Sequence, residues 1–307
     1  KLAWICCNGS DDRYATMEKK KISLSVVLAT YNEDEHIDRC LSSVVGIADE
    51  IVVVDGGSTD RTVEIARQHH ARIIQTDNPS IFHINKQKAL DAATGVWILQ
   101  IDADEVVPPE LAKEIVSVIR MSTRQLDDRV FDERKRKLFH AHQHLLEIRD
   151  GKIGDDRGNV VAFYIPRRNY FLGKLITHAG TYPDGVIRLI KKGKAWFPAI
   201  NVHEQIHVDG SVRWLEHDFI HYSNPTITRY LTGAGRYTSL LASDLKRKAG
   251  DGKSVSIVDY MIVKPLSKFL QLFFRHKGFL DGFHVFLFCL FSSLHFPVAY
   301  IKYLRIK

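Results

Sequence analysis

Apolar residues fall along this chain in short unbroken runs, each closing on polar or glycine-rich sequence. Ile22–Ala29 reads as a strand, and Thr30-Tyr31-Asn32-Glu33 follows as a loop. Glu33–Val44 then places Ile37, Leu41 and Val44 at helical spacing, with acidic residues in the first turn where the helix dipole favours them. Ile51–Val54 is a second buried strand, ended by Asp55-Gly56-Gly57-Ser58-Thr59-Asp60. Its glycines permit a tight turn and close backbone approach to a ligand, and Thr59 or Asp60 can cap a helix over Arg61–His69. Arg72–Gln75 is a short third strand, Ile81–Ala93 a helix stopped by Gly95, and Val96–Ile101 a fourth strand apolar enough to be buried on both faces. Strands alternating with helices at this spacing predict a parallel sheet with crossover helices.

Beyond the fourth strand the pattern loosens. Pro109–Met121 predicts another helix, and the heavily charged Thr123–Arg149 an exposed helix projecting from the sheet. Its His140, His142 and His144 read as solvated, since only the outer two share a helical face. Asp150–Asn159 is turn-rich. Val160–Pro166, Val186–Ile190 and part of Val212–Tyr222 read as strands of a smaller mixed region, and Thr226–Lys248 as a helix with a basic end.

The fourth strand carries the chemistry. It ends in Asp102-Ala103-Asp104-Glu105, and in open α/β sheets ligands bind outside the carboxyl ends of the strands. Two carboxylates of alternate spacing repel each other unless something positive lies between them. A hard divalent cation, Mg²⁺ or Mn²⁺, takes oxygen ligands and bridges substrate phosphates. The competing interpretation is a solvated acidic turn before Pro108-Pro109.

Composition changes this picture in three places. The 45% hydrophobic and 26% charged content is that of an ordinary globular protein, so the formal charge of +7 matters chiefly for where it sits. From Leu231 onward there are twelve lysines and arginines against four acids, enough to carry the whole excess. In the same region Phe279–Leu304 is rich in phenylalanine and leucine but interrupted by His284, Ser292, Ser293, His295 and Pro297, so its uninterrupted apolar length falls short of a bilayer span. Lys264, Lys268, Arg275 and Lys277 precede it and Lys302, Arg305 and Lys307 follow. Apolar surface bracketed by cations describes helices lying in the interface of an anionic membrane; a core or dimer-forming helix is the plainer alternative. Because the basic residues interleave with aliphatic clusters rather than stacking platforms, nucleic acid is disfavoured as a partner. The four cysteines, Cys6, Cys7, Cys40 and Cys289, have no metal-type spacing and read as reduced thiols. Lys1–Thr16 reads as an extension outside the fold, ahead of Met17-Glu18-Lys19-Lys20-Lys21, and its apolar run is too short for a signal peptide.

Three motifs in order, Leu28-Ala29-Thr30-Tyr31-Asn32-Glu33, Val54-Asp55-Gly56-Gly57-Ser58-Thr59-Asp60 and Asp102-Ala103-Asp104-Glu105, resemble those of family 2 glycosyltransferases of the GT-A fold. Asp184-Gly185-Val186-Ile187-Arg188-Leu189, His203-Glu204 and Lys277-Gly278-Phe279-Leu280-Asp281-Gly282 extend the likeness to a bacterial subfamily that includes lipopolysaccharide core β-glucosyltransferases. The resemblance runs from about Ile22 to the C-terminus and is weakest over Thr123–Asn159, where this chain carries extra charged sequence. It implies an α/β fold: a Rossmann-like, mostly parallel sheet flanked by helices, with a GT-A domain over 17–225 and an amphipathic, membrane-associating helical region over 226–307.

The resemblance also implies roles. Thr30, Tyr31 and Glu33 would line the base and ribose pocket of a UDP-sugar, and Asp55 would accept hydrogen bonds from uracil or ribose. Asp102 would contact the ribose, or the metal through water, and Asp104 would ligate the Mg²⁺ or Mn²⁺ directly. Lys86, where many relatives have arginine, and Arg188 would neutralise the departing diphosphate. Glu204 would be the general base for the acceptor hydroxyl, with Asp184 a weaker candidate. His203 would be a second metal ligand, although in an extended segment it points away from Glu204. The expected reaction is transfer of a hexose, with inversion, to a lipid-linked saccharide at the cytoplasmic face of the inner membrane, by a peripheral or monotopic enzyme and with homo-oligomers left open. The alternatives are a polyprenyl-phosphate sugar synthase, whose anionic acceptor needs no base, and a non-catalytic nucleotide-binding membrane module.

Overall fold

A computed structural model describes residues 24–198, 205–251 and 254–306. The expectations for residues 1–16, Met17, His203 and Glu204 lie outside these described residues.

The first half alternates as the hydrophobic pattern predicts: β1 (Leu24–Thr30), α1 (Ile37–Ser42), β2 (Glu50–Asp55), α2 (Thr62–Gln68), β3 (Arg72–Gln75), α3 (His83–Ala92) and β4 (Trp97–Gln100). β4 is shorter than its apolar run, because the chain turns after Gln100 and takes Asp102 and Asp104 out of strand geometry. There follow β5 (Glu105–Val106), α4 (Pro109–Val118), α5 (Thr123–Asp127) and α6 (Glu133–Asp150). The second half adds β6 (Asp155–Ile165), β7 (Arg167–Phe171), β8 (Lys174–Leu175), β9 (Val186–Lys191), the two-stranded ribbon β10 (Ala195–Trp196) and β11 (His207–Val208), then β12 (Ser211–Trp214) and β13 (Phe219–Asn224).

The main sheet has the order β12-β6-β9-β4-β1-β2-β3. β1 pairs in parallel with β2 and β4, and β2 with β3. β9 runs antiparallel to both β4 and β6, and β12 is parallel to β6. β9 is thus the single reversed strand of a mostly parallel sheet. Its reversal brings Arg188, near the start of β9, to the carboxyl end of β4. Two apolar layers sandwich the sheet. One contains Leu24, Val26, Leu28, Leu99, Leu111 and Ile115; the other contains Val27, Val52, Ile98, Ala162, Tyr164 and Trp214. A second sheet, β5-β13-β7-β8, stands at the carboxyl end of β4 and closes the site from that side.

Two expectations are corrected here. β6 already begins at Asp155, inside the stretch that reads as a turn-rich loop. The charged segment does not project from the sheet either: Phe139 of α6 is fully buried and stacks on Trp214 with ring centroids 4.6 Å apart. His142 turns inward, its Nε2 accepting from the Gly185 N–H at 3.2 Å, while His140 and His144 are exposed.

The C-terminal region is helical: α7 (Ile227–Gly250), a π-helical stretch over Asp259–Val263, α8 (Lys264–Leu270), a second π-helical stretch over Gln271–Arg275, a 3₁₀ turn over Gly278–Asp281, and α9 (Phe283–Arg305). α9 is one continuous helix of 23 residues, long and apolar enough to cross a membrane by length and composition. The interruptions in its sequence do not break it. Val285, Cys289, Ser293 and Tyr300 form its buried stripe, where they join Phe171, Tyr230 and Leu272 or pack near Leu245 and Tyr260. Cys289 and Cys40 are free and buried thiols.

Candidate active site

The site is assembled at the carboxyl ends of β1, β2 and β4. After β2 the chain reverses over Asp55-Gly56-Gly57-Ser58. Gly57 sits at φ +81°, a conformation that side chains with a Cβ rarely adopt. Asp55 is fully buried and organises the turn: its carboxylate accepts from the N–H groups of Gly57 (3.0 Å) and Ser58 (2.9 Å), from Ser58 Oγ (2.6 Å) and from Thr30 Oγ1 (3.2 Å). Both oxygens are therefore occupied by the loop itself, and a nucleoside that bonds Asp55 has to displace one of these donors. Asn32 ties the β1 loop to the β2 loop, accepting from the Thr59 N–H at 2.8 Å. Tyr31 is 45% exposed beside this turn, which leaves an aromatic side chain open for stacking. Glu33 accepts from Arg229 of α7 at 3.1 Å; burial pushes its carboxyl up, Arg229 opposes this, and the charges of Asp104 and Asp102 add to the rise.

Asp102 and Asp104 have different surroundings. Asp102 is held by Lys86 Nζ at 2.6 Å and by Arg188, with Gln100 Nε2 at 3.2 Å. Burial alone would raise its carboxyl, but Arg188 and Lys86 overcome this and hold it well below the usual carboxylate range. Lys86 itself is lowered, first by burial, with Asp102 opposing. Arg188 is buried and divides its guanidinium among Gln100, Asp102 and Glu105. It stands behind Asp102 rather than facing open space. Asp104 has one near neighbour, His221 Nε2, at 3.5 Å from Oδ2, and its carboxylate has no closer side-chain partner among the described residues. Burial raises its carboxyl and His221 more than offsets that, leaving it lowered and ionised at neutral pH.

The donor set fits a hard cation. Asp104 offers an ionised carboxylate without a cationic clamp, at the end of the strand where a diphosphate would lie. Among the described residues no cluster of three metal-ligating side chains exists, so a cation at Asp104 completes its coordination from other sources. Asp184 sits across the site at φ +42°. Its carboxylate is bound by Arg167 (2.9 Å) and Asn169 (2.8 Å). Burial raises it, but Arg167 and Asn169 take it below the usual range, which makes it a weak base at neutral pH.

The structure thus brings together Thr30, Tyr31, Glu33, Asp55, Lys86, Asp102, Asp104, Asp184 and Arg188 around one cleft. It also adds residues that the sequence reading left without a role. Glu105 is fully buried and anchors the turn by accepting from the Asp102 N–H at 2.9 Å and from Arg167 at 3.2 Å. Asn169 bonds both Asp184 and His221, the latter at 2.6 Å. All of these come from β5, β7 and β13, which meet only through the second sheet.

The family model described as Glycosyl transferase family 2 matches residues 25–180. Among curated relatives, an uncharacterized glycosyltransferase of Rickettsia bellii is 26% identical over 94% of this chain and 85% of its own length. The lipopolysaccharide core biosynthesis glycosyltransferase LpsC of Rhizobium meliloti is 24% identical over 83% of this chain and 82% of its own. Among solved structures, S. aureus TarS 1-349 in complex with UDP is 15% identical, covering 92% of this chain and 89% of that one at a TM-score of 0.40.

Proposed function

This chain belongs to glycosyl transferase family 2, and from that membership we propose that it moves a hexose from a UDP-sugar to a hydroxyl of a lipid-linked saccharide such as a lipopolysaccharide core. Transfer from a nucleotide-sugar is the family's activity. The finer reading rests on one observation above the others: at the carboxyl end of β4, a carboxylate clamped by Lys86 and Arg188 stands beside one that is not clamped. The name of the Rhizobium relative supports the acceptor class.

Each residue then has a task. Tyr31 stacks on the base, and the turn ordered by Asp55 and Thr30 cradles base and ribose, with Glu33 at its border. Asp104 holds the divalent cation, Mg²⁺ or Mn²⁺, with His203 as a second ligand; when bound, the cation offsets charge on the departing diphosphate. Lys86 supplies positive charge on the same side. Arg188 is a positioning residue: it fixes Asp102 and Glu105, so the turn is rigid before the donor arrives. Glu204 takes the proton of the acceptor hydroxyl. Asp184, spent on Arg167, holds the wall of the cleft. Attack from the face opposite the leaving diphosphate inverts the anomeric centre.

The enzyme works as a peripheral or monotopic protein on the cytoplasmic face of the inner membrane. The region from α7 to α9 supplies the contact, exposing Ile262, Leu266, Leu270, Phe274 and Phe283 beside Lys264, Lys268 and Arg275. Hydrolysis of a panel of UDP- and GDP-hexoses, with and without Mn²⁺, tests the donor assignment. Metal-dependent turnover of a UDP-hexose is expected, and turnover only with GDP-sugars, or none, overturns it. Glu204→Gln is expected to lower hydroxyl transfer by about 10²–10⁴-fold, the usual worth of a general base, and Asp184→Asn by less than about tenfold. Transfer that survives Glu204→Gln indicates a phosphate acceptor instead.

A further inference from the structure

Under α5 and α6, against the β12 edge of the main sheet, lies a cavity of about 550 Å³. That volume is in the range that holds small molecules. None of its lining residues belongs to the donor cleft. The floor is apolar, with Phe131, Phe139, Phe163, Ile153 and the edge of Trp214. The rim is made of planar polar side chains.

The lining narrows the ligand class. Arg129, Arg136 and Arg213 are matched by Asp127, Glu147 and Asp155, so a polyanion gains little on balance, and a lipid tail would strip water from the rim. Planar groups of both signs beside aromatic rings suit a pyranose. Guanidinium and carboxylate groups bond neighbouring hydroxyls in pairs, and Phe131, the half-buried phenylalanine of the lining, offers apolar contact to the sugar's C–H face. Arg129 is already held by Glu114 and the Trp214 carbonyl, and the Gln143 amide by Glu147 and Trp214, which leaves Arg136 and Arg213 as the donors for a ligand. Among the described residues the Arg136 side chain has no partner, and Arg213 donates only to the neutral oxygens of Ser211 and Val212. Trp214 is fixed rather than adaptable, sandwiched between Phe139 and Tyr164 with both centroid distances 4.6 Å, and held by Gln143 at 3.1 Å.

Its position relates the cavity to the chemistry. The far edge of the Trp214 ring lies against Gly185, where any Cβ would collide with it, and Gly185 directly follows Asp184 in the wall of the cleft. The roof is formed by α5 and α6, the charged segment that follows α4. We infer that the cavity is a saccharide-binding subsite, which holds the part of the acceptor glycan beyond the residue receiving the new sugar. This rests on the glycosyltransferase reading of the cleft.

Saturation-transfer NMR on the full chain with lactose, maltose, gentiobiose and N,N′-diacetylchitobiose tests it, with UDP titrated separately. At least one disaccharide is expected to bind, to remain bound under saturating UDP, and to weaken about tenfold in Phe131→Ala and in the surface variant Arg136→Ala. Binding of UDP with no disaccharide bound overturns the subsite and leaves the donor cleft standing. So does disaccharide binding that UDP displaces, or that survives both substitutions in chains with unchanged circular dichroism. Disaccharide binding without UDP binding keeps the subsite and overturns the donor reading.

Discussion

Asp102 and Asp104 are two residues apart and do different work because their neighbours differ. A carboxylate held by Arg188 and Lys86 is part of the scaffold, while one touched only by a histidine can take a cation. The scaffold role has a pH signature. Asp102 titrates below its unfolded value, so the stability it contributes is full above about pH 4, the ordinary aspartate range, and is lost as pH falls through the depressed folded value. The melting temperature is expected to fall steeply below that point. In Arg188→Met the buried Glu105 keeps Arg167 and Asp102 keeps Lys86 as its one cationic partner among the described residues, at an expected cost of about 3 kcal/mol, measurable by urea unfolding. The acidic pair was legible in the sequence because both residues follow one apolar run. Lys86 and Arg188, which clamp Asp102, were legible with it, but His221 beside Asp104, and Arg167 and Asn169 that hold Glu105 and Asp184, were not: they lie more than sixty positions from the pair on strands that form a separate sheet, and His221 in His217-Asp218-Phe219-Ile220-His221-Tyr222 carries no spacing signal.

At the scale of elements, periodicity located β1 to β4 and their helices to within a few residues, since each buries a continuous face. It failed at α6. The run Glu133-Arg134-Lys135-Arg136-Lys137 makes the segment look solvated, yet Phe139 and Leu146 of α6, seven residues apart, and Phe131 just ahead of it enter the apolar layer around Trp214. Charge density hid these few inward-facing positions. Phe139→Ala is expected to destabilise the fold by about 3–5 kcal/mol, the usual cost of emptying a buried aromatic site; a loss under about 1 kcal/mol in denaturant titrations would return α6 to the solvent-exposed class. The turn at Asp102 was hidden for a related reason: Ile101 is as apolar as the strand before it, and only Glu105, folding back onto the Asp102 N–H, ends the extended run.

For the whole molecule, the C-terminal helices combine a buried stripe with an exposed apolar face. Val285, Cys289 and Ser293 bury the inner side of α9, while Ile262, Leu266 and Leu270 remain open on the preceding helical stretch. A solvent-facing patch of this kind marks a contact surface, and the neighbouring lysines and arginines suit an anionic bilayer. Ile262→Asp, Leu266→Asp and Leu270→Asp together are expected to lower recovery on floated phosphatidylglycerol vesicles about tenfold at low salt with the thermal melt unchanged, because none of the three is in the core. Equal flotation of the triple variant would reject the membrane contact.

β7 joins these two regions. Arg167 and Asn169 face the acidic cleft, and Phe171, four residues from Arg167, belongs to the apolar cluster beneath α9. At about 3.3 Å per residue the strand spans about 13 Å. Under the proposed seating of the helices on lipid, that strut would work as a caliper, setting one altitude above the bilayer at which an acceptor hydroxyl could be glycosylated. Acceptors built on stems of graded length should then show a sharp optimum, and a rate that merely levels off with longer stems would mean the strut sets no such height.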